Sequence, residues 1–208
     1  MKKIILSLIT GVGLMGLASC QNSEDKAKQD CPGTTEAVIE NIMTRVSVRQ
    51  FTDKQIPADT LEQIIKCGMA APSAVNMQPW AFVEVTDRDV LDSLSTITPN
   101  FRLETATAAI IVCGDSSRFL EGSHSEYWIQ DCSAVTENIL LAAHAYGLGA
   151  VWCGVYHGPD SDLVPDVKEK LDLPENVTPL CVIAMGYPAG ENQPKNKWKP
   201  ELIHYQKW

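Results

Sequence analysis

Basic residues are few and never form a run: 17 Lys and Arg are scattered among 26 Asp and Glu, for a net charge of −9. A nucleic-acid backbone needs clustered cations, so no nucleic-acid partner is expected. The four histidines, His124, His144, His157 and His204, form no metal motif, and the seven cysteines show no CxxC or Cys/His spacing. No zinc site is therefore expected. No apolar run reaches the roughly 20 residues that a membrane-spanning helix requires. Internal repeats and low-complexity segments are absent too, which leaves out solenoids and arrays. What remains is a chain of 208 residues, 45% of them hydrophobic, enough for one globular domain with a sizeable core and a small organic ligand.

The N-terminus has a composition of its own. "MKKIILSLITGVGLMGLASC" carries Lys2 and Lys3, an apolar run from Ile4 to Leu17, and small residues before Cys20. This is the pattern of an export signal, and Leu17, Ala18, Ser19 and Cys20 resemble a bacterial lipobox. Residues 1–19 are thus expected to be a signal peptide, Cys20 to be acylated, and the polar stretch from Gln21 to Gly33 to be a tether. The chain would then sit in the cell envelope, lipid-anchored to a bacterial membrane. Its acidic body would add nothing at an anionic surface, so the lipid alone would hold it.

Residues 34–208 form the expected domain. Val38, Ile39, Ile42, Met43 and Val46 share one helical face, with Thr34 or Thr35 available as cap. A second helix is expected over "IPADTLEQIIKCGM", where Asp59 and Glu62 stand at capping-box spacing. The longest helical signal runs from Ser125 to Tyr146 and stops where Gly147 can adopt the left-handed conformation. "WAFVEV", "AAIIVCG", "AVWCG" and "PLCVIAMGY" are strand candidates. Strands separated by helices indicate an α+β or mixed α/β fold with a central sheet flanked by helices. Cys113, Cys153 and Cys181 lie in those apolar runs and read as small buried hydrophobes.

One loop is unusual. "AAPSAVNMQPWAFVEV" packs Pro72, Ser73, Asn76, Gln78 and Pro79 between a helix and a strand. Polar side chains at fixed offsets on a rigid scaffold are frequent ligand contacts. Gln78 and Trp80 can equally be turn and core residues.

Five segments, "RVSVRQF", "APSAVNMQPW", "DCSAVTENILLAAHAYGLGAVWCG", "LPENVTPLCVIAMGYP" and "PKNKWKPELIHYQKW", occur in an order that resembles the FMN-dependent nitroreductase superfamily. The resemblance covers the chain beyond the tether. It implies a homodimer with FMN at its interface. It implies that Arg45, Ser47, Lys195 and Lys197 grip the phosphate and that Arg49 stands at the pyrimidine edge of the flavin. Asn76 would hydrogen-bond the ring or ribityl chain, with Pro72 and Ser73 shaping the wall. Trp152, Cys153 and Gly154 would lie along one face of the ring. The implied activity is transfer of two electrons from a reduced donor such as NAD(P)H to a nitroaromatic, quinone or similar acceptor by a ping-pong mechanism. Two alternatives stand beside it: a flavin-dependent dehydrogenase that uses oxygen or an envelope carrier, and a non-catalytic flavin-binding surface lipoprotein.

Overall fold

Long apolar runs build the sheet. In the computed structural model, residues 33–208 are described; the expectations at the signal peptide, at Cys20 and along the tether up to residue 32 lie outside the described residues. Strands β1 (Trp80–Val85), β2 (Ala108–Asp115), β3 (Gly149–Gly154) and β4 (Val177–Gly186) form one sheet in the order β1-β2-β4-β3. Every neighbouring pair is antiparallel. β2 and β4 are the two inner strands and are buried over almost their whole length, which is why they read as unbroken hydrophobic runs. Their register shifts at Val112/Cys113, where Pro179, which has no N–H to give, takes its place opposite Cys113. The fold is thus the expected mixed α+β arrangement, with its four strands paired antiparallel.

Two layers of helix cover the sheet. On one face lie α2 (Ala58–Met69) and α4 (Tyr127–Ala145), whose Leu61, Ile64, Val135 and Ile139 pack with Ile110, Val112 and Ile183. Gly68 lets the two helices approach, since a Cβ there would meet Ile139 Cγ1 at 2.8 Å. On the other face α3 (Arg88–Ser95) and α5 (Leu163–Lys170) join Phe101, Leu103, Ile111 and Val182. Each fully buried large apolar side chain contributes about 1.5–3 kcal/mol. Residues 36–208 make one compact unit.

Several expectations change in detail. The helix α1 (Thr34–Thr44) stops two residues before Val46, and none of its residues is buried: Val38, Ile39, Ile42 and Met43 are all more than half exposed. Its apolar face is real but stays largely exposed among the described residues. The capping box at Asp59 does not form, because Pro57, which has no side-chain acceptor, holds the cap position. Asp59 instead accepts from the Thr60 amide, and Glu62 pairs with Lys66 at 2.7 Å. At α3, Asp87 is the cap, accepting from the Asp89 and Val90 amides. Gly147 does take the left-handed conformation, with φ 71°.

Candidate functional site

The segment after α1 is held against the edge of the sheet. Val48 N donates to Ala150 O at 3.1 Å, Ser47 forms a parallel bridge to Ala150, and Thr52 N donates to Tyr187 O at 2.8 Å. Two glycines make room for it. A Cβ at Gly149 would lie 2.6 Å from Val48 Cβ, and one at Gly186 would lie 2.9 Å from Phe51 Cβ. In extended backbone, side chains alternate. Val46 and Val48 turn into the core, while Arg45, Ser47 and Arg49 occupy the other side. Beyond Ser47 the segment turns to the end of β4, where Phe51 bridges Pro188.

Arg45 is largely covered and forms an ion pair with Glu137 of α4, Nε to Oε1 at 3.4 Å. Both residues line a cavity of about 390 Å³ together with Lys195, Lys197 and Trp198 from the C-terminal segment. Three cations and one carboxylate thus meet in one place, with Arg45 drawn to lysines 150 and 152 residues further along the chain. Glu137 was not among the residues that sequence pattern selects; a charged residue on the exposed side of an amphipathic helix reads as solvated surface. Arg49 is exposed, and its Nη1 donates to Ser47 O at 3.2 Å.

His144, the penultimate residue of α4, contacts Thr44 at the end of α1. Thr44 Oγ1 gives its hydrogen to Glu40 O at 2.6 Å, so at the 2.9 Å contact His144 Nε2 is the donor. Burial, and then the charge of Arg45, hold its imidazole below the ordinary histidine range.

On β3 the side chains divide. Trp152 and Gly154 are exposed, whereas the Cys153 side chain is buried among Phe101, Val151 and Val155. Its Sγ donates to Phe101 O at 3.4 Å, and burial pushes the thiol up to about 11. Cys153 is therefore a protonated core residue, and any surface along β3 is made by Trp152 and Gly154. Burial likewise pushes Cys113 and Cys181 up to about 12, and no disulfide joins the five described cysteines. A Cβ built on Gly154 would meet nothing within 4 Å, so the backbone there is open to close approach.

The loop with Pro72, Ser73 and Asn76 is elsewhere. Pro72 and Ser73 line a separate groove with Tyr127, Gln130 and Asp131, and none of the loop borders the cavity around Arg45. Val75, Asn76 and Gln78 all have positive φ, at 50°, 60° and 50°. For non-glycine residues this backbone is disfavoured, each instance costing on the order of 1–3 kcal/mol, and such strain concentrates at functional sites. Trp80 is buried in the core, as the bland reading of that position had it. One copy of the chain therefore brings Arg45, Lys195 and Lys197 to one cavity, carries Ser47 and Arg49 on the segment after α1 and Trp152 and Gly154 on β3, and holds Pro72, Ser73 and Asn76 in a separate loop.

The model for the nitroreductase family matches residues 42–99 and 98–187. A candidate NADH dehydrogenase/NAD(P)H nitroreductase from Methanothermobacter thermautotrophicus is 42% identical over 172 residues, covering 82% of this chain and 87% of that protein. The crystal structure of a candidate protein of the same description from Bacteroides thetaiotaomicron is 44% identical, with a TM-score of 0.76 over 83% of this chain and 98% of the other. An FMN reductase [NAD(P)H] of Bacillus subtilis is 26% identical over 187 residues, 81% of this chain and 73% of that protein. The chain is an oxidoreductase enzyme. It belongs to the nitroreductase family.

Proposed function

We propose that the chain binds FMN between two copies of itself and passes two electrons from NAD(P)H to an organic acceptor, a nitroaromatic or a quinone, by a ping-pong mechanism. The observation that carries this is the meeting of Arg45, Lys195 and Lys197 at one cavity, with Arg45 two residues from Ser47, which bridges to Ala150 of β3. That donor set fits a dianionic phosphate: an arginine supplies parallel hydrogen bonds and lysines supply point charges. The open backbone at Gly154 fits the flat face of a ring. The B. subtilis relative's name, FMN reductase, supports the same cofactor.

Bound FMN supplies the group that accepts and donates a hydride. The chain's own residues hold and tune it. Arg45, Ser47, Lys195 and Lys197 bind and orient the phosphate, Arg49 stabilises negative charge at the pyrimidine edge, and the Asn76 amide offers hydrogen bonds to the ring or ribityl chain. Because Pro72, Ser73 and Asn76 lie apart from Arg45 in one copy, a second copy must bring one group to the other. The uncovered apolar face of α1 and the exposed Trp198, Leu202, Tyr205 and Trp208 supply surface for such a homodimer to bury. Steady-state rates with NADH or NADPH against a nitroaromatic test the activity. Parallel lines in double-reciprocal plots are expected, and intersecting lines or no turnover would contradict the mechanism.

The pattern ending at Cys20 supports a place in the cell envelope, with the acylated cysteine holding the domain through the tether. Cys20→Ala should abolish incorporation of a fatty-acid analogue in a bacterial host. Unchanged labelling would remove the lipid anchor.

A further inference from the structure

Asp131, only 7% exposed, is the one carboxylate among the buried residues described. Burying a carboxylate is unfavourable unless a partner compensates it. No ion pair reaches Asp131 among the described residues. Its Oδ1 instead accepts from the Ala74 amide at 2.9 Å, joining α4 to a loop 57 residues earlier.

Ala74 opens the short turn Ala74–Asn76, where Val75 and Asn76 have left-handed backbone. Val75 is β-branched and 81% exposed, so neither its own preference nor packing keeps the turn in that shape. At its far end Asp115 N donates to Pro79 O at 2.7 Å and Arg118 Nη1 to Gln78 O at 3.5 Å, while the hydrogen bonds within residues 73–78 close the loop upon itself. Asn76 N donates to Ser73 O at 3.0 Å, Gln78 N to Ser73 Oγ at 2.9 Å, and Gln78 Nε2 to Asn76 Oδ1 at 3.0 Å. Of residues 73 to 77, Ala74 alone is hydrogen-bonded to another element among the described contacts. The backbone amide at the start of the strained turn is thus fastened by a buried charged acceptor, the stronger kind of hydrogen bond.

We infer that Asp131 is a positioning residue for the cofactor loop: by holding the Ala74 amide it fixes the left-handed turn that presents Asn76. The inference rests on the FMN site proposed above. It assigns Asp131 no contact with the flavin and no proton transfer. Its effect passes through Asn76, and this separates it from a residue that merely stabilises the fold.

The test is a double-mutant cycle on the full chain, with Asp131→Ala and Asn76→Ala alone and combined, reading the dissociation constants of FMN and of riboflavin. Asp131→Ala should weaken both flavins by the same factor, about tenfold, as loss of one hydrogen bond to a charged group would. In the Asn76→Ala background it should add almost nothing. Asp131→Asn keeps an oxygen that can accept from Ala74 but not the charge, and should weaken both flavins by less than Asp131→Ala does. Ala74→Pro removes the donor from the other side. It suits the first position of a turn that follows the extended Ser73, and should weaken both flavins even if Asp131→Ala does not fold. Tight flavin binding by Asp131→Ala or Ala74→Pro, alongside a weakened Asn76→Ala, would overturn the positioning role alone. Fully additive losses would do the same. An unaffected Asn76→Ala would overturn both that role and the contact of this loop with the flavin.

Discussion

Arg45 and Arg49 are four residues apart on one extended segment, yet their surroundings differ. Arg45 is mostly covered and tied to Glu137, in a cavity with two lysines; Arg49 is exposed and donates to the backbone carbonyl of Ser47. If Arg45 serves the phosphate and Arg49 the ring, Arg45→Ala should weaken FMN far more than riboflavin, which lacks the phosphate. Arg49→Ala should instead slow flavin reduction by NAD(P)H more than it loosens FMN. A preorganised charge at a developing charge is typically worth about 10²-fold or more in rate. The reverse pattern would show the two roles exchanged. Both arginines draw notice in the sequence because RxSxR stands as the first of five segments in a family's order. Asp131 and Glu137 do not, because a carboxylate on a helix reads as solvent-facing and only the fold reveals that Asp131 is buried and bonded to Ala74. Cys153 shows the opposite limit: the strand AVWCG was legible, and the alternation along it decides that Trp152 and Gly154 face outward while the thiol faces the core.

Among the elements, the inner strands were the plainest in the sequence. β2 and β4 are apolar on both faces because helices cover both, and that leaves continuous runs of Ile, Val, Ala and Cys. The long helix α4 was nearly as plain, since Val135, Ile139 and Ala143 repeat at helical spacing. The short α3 and α5 carry too few turns for periodicity to register, and what defines the start of α3 is the Asp87 cap. Strand direction was not legible at all. Helices between strands fit either parallel or antiparallel pairing, and the antiparallel order β1-β2-β4-β3 follows from pairings between residues far apart in sequence. The glycines at 149 and 186 have a clear role once the fold is known: they leave space for Val48 and Phe51, so the segment bearing Arg45 and Arg49 lies flat on the sheet edge.

At the scale of the whole molecule, what stands out is surface that one copy leaves uncovered. Four large apolar residues of α1 are more than half exposed, and so are Trp198, Leu202, Tyr205 and Trp208. Monomeric proteins rarely expose apolar surface in such quantity, and apolar residues this numerous in a terminal segment are out of keeping with a solvated tail. The same C-terminal segment brings Lys195 and Lys197 to Arg45, so in the proposed dimer one structural element would serve both cofactor binding and assembly. The net charge of −9 makes that cluster of cations a local exception on an acidic protein, suited to one anionic group and not to a polyanion. The central claim is that FMN is held between two copies of this chain. Sedimentation velocity of the purified protein, followed in the visible absorbance of the flavin, tests it most directly. The expected result is a yellow boundary that moves as a dimer and carries FMN equimolar with the chain. A colourless protein that takes up no added FMN, or a yellow boundary that moves as a monomer, would contradict it.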